Sequence, residues 1–260
     1  MDGVRAVLLD VDGVLAVSWQ ALPGASEALE RLRAAGFGVR MVTNTTVGTR
    51  ALVADNLRAA GFAVAPEDIL TAPTATAAYL RETYPGARCA LLSEGDVRED
   101  LDGVTLVDDD PEVVVLGGAG PAFDYETLNR AFRWLRDGAR LVAMQRGLYW
   151  RTSEGLRLDV GAFLPGLEAA SGVRAEVVGK PARAFFTAAL RAVGAEPGEA
   201  VMVGDDVETD VLAAQALGLT GVLVRTGKYL PETHRAASGT PDHVVDSVAD
   251  VPDLLGTPAP

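Results

Sequence analysis

The chain has 260 residues, 48% of them hydrophobic and 23% charged, which is enough apolar material for a sizeable core and excludes disorder on a large scale. Its formal net charge of −13 argues against nucleic acid or an anionic membrane as a partner, because both are bound through basic surface. The single cysteine, Cys89, allows no internal disulfide, no apolar run is long enough to span a bilayer, and no leader pattern precedes the first strand, so a cytoplasmic protein is expected.

In chain order, the apolar run Val4–Leu9 predicts a strand that ends in Asp10, with Asp12 and Gly13 close behind. Pro23–Ala35 predicts a helix with Ala25, Ala28, Leu29 and Leu32 on one face. Gly36 stops it, where a left-handed residue is wanted. A second strand runs to Thr43, and a second helix from about Val47 to Ala60 is closed by Gly61. Strand and helix in alternation, with burial on both sides, make a parallel α/β sheet.

The middle differs. Strands are expected in "ARCALLS", "EVVVLGG" and "RLVAMQ", and helices over Thr74–Thr83 and Tyr125–Arg136. That content suits a separate small α/β unit, placed at residues 74–172. The first rhythm then returns. A strand over Ala175–Gly179 is followed by a helix with Pro181 at its first turn and Gly194 after it. Next come the strand "AVMVGDD", a helix over "ETDVLAAQALG", the strand "TGVLVRT", a short strand and a last helix, with a frayed tail "GTPAP". The expected fold is α/β: a Rossmann-like, doubly wound parallel sheet from residues 1–73 and 173–260, with an inserted α/β unit.

In a doubly wound sheet, ligands bind beyond the carboxyl ends of the strands. Those ends offer Asp10 and Asp12, then Thr43 and Asn44, then Lys180, then Asp205 and Asp206, with Asp210 a helical turn further on. Two carboxylates two residues apart at the end of a buried strand are costly to keep charged and oppose each other's ionisation. Several of them on one rim call for a hard cation with oxygen ligands, of which Mg²⁺ is the usual one. Metal and Lys180 together can hold a dianionic phosphoryl group, and Thr43 and Asn44 can donate hydrogen bonds to its oxygens. Asp10 is then placed as a nucleophile that forms an aspartyl phosphate, and Asp12 as the acid and base for the leaving oxygen and the attacking water.

The segments "DVDGVL", "TNTT", "GKP" and "GDDVETD", in that order, closely resemble the four motifs of haloacid dehalogenase-like phosphatases. Their spacing resembles class IIA, the branch with an α/β cap between the second and third motifs. The stretch from "VVGKP" to "RTGKY" looks especially like that branch's phospholysine and phosphohistidine phosphatase group. The resemblance implies a Mg²⁺-dependent hydrolase of small phosphate monoesters, with phosphorus–nitrogen bonds or pyrophosphate as the alternative. Asp10 would be nucleophile and metal ligand. Asp12 would be the acid and base, its backbone carbonyl also on the metal. Thr43, Asn44 and Lys180 would hold phosphate, Asp205 would complete the metal site, and Asp210 would lie just outside it. The cap would close over the rim and exclude water, and a homodimer through the caps is possible in such proteins. Val14 stands where many members carry threonine, a departure common in this branch.

Other features point less sharply. Lys228 and Tyr229 border the site in this reading without an assigned role. Asp159 and Phe163 fall where the branch places a cap specificity loop, though loop and core roles suit them equally. His234 and His243 stand apart from every motif, so histidine-based catalysis is not expected. A halide-displacing dehalogenase is disfavoured because its leaving group needs no acid such as Asp12. A phospho-receiver or inactive binding scaffold is disfavoured by Asp12 and by the inserted unit.

Overall fold

A parallel six-stranded sheet is built around the strand Ala6–Asp10, whose five residues are all buried. This computed structural model describes residues 1, 3–152 and 155–257, and the end of the tail expected to fray lies outside them. Ala6–Asp10 pairs in parallel with Gly38–Thr43 on one side and Ala200–Gly204 on the other. Beyond the latter lie Thr220–Val224 and His243–Val245, again parallel, and Ile69–Thr71 closes the opposite edge. Such sheets need cover on both faces. Val7 and Leu9 share a core cluster with Ala25, Ala28, Leu29 and Leu32 of the helix Ala25–Ala34, the face read from the sequence. The helix Arg183–Val193 packs on the same central strands and buries Phe185, Phe186, Ala189 and Leu190. Each such phenylalanine contributes about 1.5–3 kcal/mol of burial free energy.

By contacts the chain divides into two compact units. The first comprises Met1–Thr43, Arg50–Leu70 and Lys180–Pro260; the second comprises Asn44–Thr49 and Thr71–Gly179. The second unit has its own parallel sheet, in the order Glu176–Val177, Arg140–Ala143, Val113–Leu116, Arg88–Leu92 and Thr105–Leu106. Helices Ala72–Thr83, Tyr125–Arg136 and Leu164–Ser171 belong to it. Thr71 caps the first of these through the backbone N–H of Thr74.

Three local departures from the sequence reading stand out. The strand expected over Ala175–Gly179 is short, Glu176–Val177, and pairs with Arg140–Ala143 in the second unit's sheet rather than with a core strand. The helix expected over "ETDVLAAQALG" begins as a π-helix, Val207–Leu212, and becomes α-helical only at Ala213–Gln215. An antiparallel hairpin, Tyr149–Thr152 with Gly155–Leu158, was not foreseen. Among the described residues no helix is long and apolar enough to cross a membrane.

Candidate active site

The register of the first unit's sheet brings the candidate residues to one edge. Asp10 stands opposite Val42, and Leu9 opposite Val203, so Asp10, Thr43 and Asp205 all leave the sheet at its carboxyl end. All three are buried, as are Lys180 and Asp210. Lys180 lies just before the helix Arg183–Val193, and its ammonium is 2.8 Å from Asp10 Oδ1 and 2.8 Å from Asp210 Oδ1. Asp10 Oδ1 also accepts the backbone N–H of Val11 at 2.8 Å. Carboxylate oxygens of Asp10, Asp205 and Asp210 all lie within 4.8 Å of one another.

Asp210 therefore sits inside the acidic cluster, in contact with Lys180, rather than at its margin. The π-helix puts it there. Asp206 caps that helix, accepting the backbone N–H groups of Glu208 and Thr209 at 3.1 and 3.0 Å. A wide turn of this kind is rare and concentrates at functional sites. Asp12 lies outside the cluster of three, as the exposed residue of an otherwise buried turn in which Gly13 N–H donates to the Ala16 carbonyl. Asn44 follows Thr43 in the chain but groups with the second unit, close to Gly179.

Charge is unevenly distributed. Burial pushes the Asp10 carboxyl up, and the Lys180 ammonium opposes that only in part. Burial, with the charge of Asp210 added, lifts Asp205 to about 6. Burial outweighs the pull of Lys180 and lifts Asp210 to about 7. Burial alone would lower Lys180, but Asp10 and Asp210 more than offset it and hold the ammonium above its ordinary range. Solvent reaches Asp12, yet the atoms crowding its carboxyl still raise it, against the pull of Lys228 and then Lys180. One ammonium thus serves several acids, the electrostatic state of a site built for a further cation.

An orphaned atom points the same way. Asp205 Oδ2 accepts the backbone N–H of Lys228 at 2.7 Å, but Asp205 Oδ1 is buried with no donor. A buried carboxylate oxygen without a partner is costly, and a hard divalent cation supplies one. The carboxylate oxygens gathered there by Asp10, Asp205 and Asp210 make the all-oxygen surroundings that suit such an ion.

Two groups were not assigned from the sequence. The segment after Thr220–Val224 is pinned against the Asp10 turn: Thr226 donates to the Gly13 carbonyl, and Gly227 packs on Gly13. Lys228, merely bordering the site in the sequence reading, follows directly. The Gly-Lys pair at the end of a further core strand was the available signal. His234, expected away from the site, lines a small cavity with Asp205, Lys228 and Tyr229, its ring 5.9 Å from that of Tyr229. Asp159 instead has internal partners: Ala119 N–H, Val160 N–H and the Gln145 amide. Phe163 packs on Phe123, with ring centroids 5.2 Å apart.

A doubly wound sheet with acids, a buried lysine and a threonine at its carboxyl edge, interrupted by a second α/β unit, defines a hydrolase of phosphoryl-transfer type. A family model described as "Haloacid dehalogenase-like hydrolase" matches residues 7–106, and one described as "HAD-hyrolase-like" matches residues 177–251. The phospholysine phosphohistidine inorganic pyrophosphate phosphatase of Xenopus laevis is 40% identical over 98% of this chain and 95% of its own length. Haloacid dehalogenase-like hydrolase domain-containing protein 2 of Homo sapiens is 43% identical over 87% of this chain and 86% of its own. Among solved structures, the p-nitrophenyl phosphatase from Archaeoglobus fulgidus superposes with a TM-score of 0.90 at 27% identity, covering 96% of this chain and 99% of that one. NagD from E. coli K-12 superposes with a TM-score of 0.87 at 30% identity, covering 95% and 98%. The chain belongs to the haloacid dehalogenase-like hydrolases and, within them, to the class IIA phosphatases.

Proposed function

We propose that this phosphatase hydrolyses small phosphate monoesters with Mg²⁺ through an aspartyl-phosphate intermediate on Asp10. The observation that carries this reading is the Asp10 carboxylate at the end of the central strand, 2.8 Å from the buried Lys180 and clustered with Asp205 and Asp210. Asp10, Asp205 and the backbone carbonyl of Asp12 would hold the metal, with Asp210 steadying Lys180 and the acids around it. A bound Mg²⁺ would neutralise charge on the phosphoryl oxygens.

The rest falls to the chain's own groups. Lys180 and the Thr43 hydroxyl, with Asn44, hold the phosphoryl oxygens. An Asp10 carboxylate oxygen attacks phosphorus, and the bond to the leaving oxygen breaks. Asp12 gives that oxygen its proton and then takes one from the water that attacks the aspartyl phosphate. Inorganic phosphate leaves, and Asp10 is again a carboxylate. A raised pKa at Asp12 suits both halves of that task. The inserted unit acts as the cap in this reading.

The activity in the Xenopus relative's name supports a second reading, in which the bond broken is P–N or P–O–P. Phosphate release from a panel of phosphorylated metabolites, a phosphoamino acid and pyrophosphate, with and without Mg²⁺, tests both. Mg²⁺-dependent release that ranks the monoesters first is expected. Release from pyrophosphate or the phosphoamino acid alone selects the second reading, and release indifferent to Mg²⁺ overturns the metal assignment.

A further inference from the structure

The four acids Asp10, Asp12, Asp205 and Asp210 share one buried ammonium, Lys180, which already lies against two of them. With Asp12 carrying the proton it gives, a divalent cation only balances this surplus of negative charge, and the substrate then adds a phosphoryl dianion. A second fixed positive charge is therefore electrostatically favoured at the rim of the first unit. Lys228 supplies one. Its backbone is held by Asp205 Oδ2, and the glycine before it presses on Gly13, the residue after Asp12. Asp12 and Lys228 thus flank a single contact, Gly13 against Gly227. The Lys228 side chain is exposed, and among the described residues its ammonium makes no ion pair, although the charges of Asp205, Asp10 and Asp210 reach it.

The two lysines stand at different stations. Lys180 lies against Asp10, the attacking group. Lys228 adjoins Asp12 through the backbone contact of Gly227 with Gly13, and its charge is the largest that acts on Asp12, which on the reading above protonates the oxygen that departs. Attack and departure are roughly in line across phosphorus, so a cation beside the acid is on the departing side. We propose that Lys228 is a specificity-determining residue whose ammonium binds a negative charge carried by the leaving group. The favoured substrates are then phosphate esters of acidic alcohols or phenols, with the second anion within reach of a flexible lysine stem.

The inference rests on the monoester reading, and its test separates the two. Para-carboxyphenyl phosphate and its neutral para-carboxamide counterpart differ chiefly in the leaving group's charge. The ratio of their kcat/KM values is measured for the wild-type protein, Lys228→Met and Lys228→Arg, each checked for folding by circular dichroism and melting. Because Asp205 is held by the Lys228 backbone, neither change removes that hydrogen bond. Lys228→Met is expected to lower the acid-over-amide ratio roughly tenfold or more, the size of a lost charge-assisted contact, mainly through KM. Lys228→Arg is expected to restore most of it. An unchanged ratio in Lys228→Met, or a ratio lost equally in Lys228→Arg, overturns the proposal. A wild-type protein that releases phosphate from neither ester nor p-nitrophenyl phosphate overturns the monoester reading, and the proposal falls with it.

Discussion

Gly13 and Asp205 adjoin with no room for a side chain between them: a Cβ on Gly13 would fall 1.9 Å from Asp205 Oδ2. Gly13 also has a φ of +82°, which side-chain-bearing residues adopt at a cost. Gly13→Ala is therefore expected to destabilise the protein by about 2–4 kcal/mol, from the backbone penalty and the overpacking together. Phosphate release should fall as well, because Asp205 must move. Urea unfolding and a turnover assay check both, and wild-type values in either would mean that the turn relaxes freely.

Asp10→Asn keeps the shape of the side chain and its acceptor for the Val11 N–H. It removes the charge that makes the group a nucleophile. Turnover should drop below detection while the circular dichroism spectrum stays that of the wild type. Retained activity would move the nucleophile elsewhere.

Lys180→Met leaves Asp10 and Asp210 buried without their cation. Removing one partner of a buried ion pair costs about 3–5 kcal/mol. Denaturant unfolding should show a loss in that range at neutral pH, together with loss of phosphate release. A variant as stable as the wild type would show that water or local opening already solvates the acids.

Mg²⁺ is expected to raise the melting temperature of the wild-type protein, because an ion that binds only the folded state stabilises it by mass action, by about 2.7 kcal/mol at a hundredfold excess over Kd. Asp205→Asn should lose most of that shift, since it removes charge from the carboxylate whose Oδ1 lacks a donor. Differential scanning fluorimetry gives the comparison without any substrate. Equal shifts in the two proteins would take Asp205 out of the metal site.

Cys89 is buried at the start of the second unit's strand Arg88–Leu92. Burial, with the charge of Glu112, pushes its thiol from 9.0 up to about 11. A folded-state pKa above the unfolded one gives stability that is intact below pH 9 and lost as pH rises through 11. The stability gap between wild type and Cys89→Ala should narrow over that interval. At neutral pH a thiol reagent should label Cys89 only after denaturation, and fast labelling of native protein would contradict its burial.

Much of this was legible because local rules and global packing agree. Ala25, Ala28, Leu29 and Leu32 follow helical spacing, and all four are buried. Gly36 and Gly194 were read as helix stops, and both have positive φ. Asp10, Thr43 and Asp205 could be placed on one edge on paper because parallel strands deliver their ends there, whereas Lys180 comes from the segment before the helix Arg183–Val193 and not from a strand of that sheet. Three things were not legible. The π-turn that carries Asp210 into the cluster is not written in any propensity of "VETDVL"; its Val207 and Val211 are buried with Leu223 from the strand Thr220–Val224. The strand Glu176–Val177 found its partner in the other sheet because pairing is a tertiary choice, to which an apolar run is blind. Lys228 was read as bordering the site but given no role, because its tie to the site runs through backbone atoms: its own N–H to Asp205, and the bare glycine before it against Gly13.

The central strand's two neighbours differ in how far away they are encoded. Ala6 pairs with Gly38 on one side and with Ala200 on the other. At a synthesis rate of about 5–20 residues per second, the second partner reaches the growing chain roughly 10–40 seconds after the first strand. Over that interval one edge of a strand destined for full burial is open, the kind of surface that chaperones shield and that aggregation exploits. The same delay keeps the nascent chain chemically silent, because Asp10 acquires Lys180 and Asp205 only when the last third of the fold arrives. Closing so long a loop is also slow in a test tube, so this sheet is expected to refold late and cooperatively rather than strand by strand.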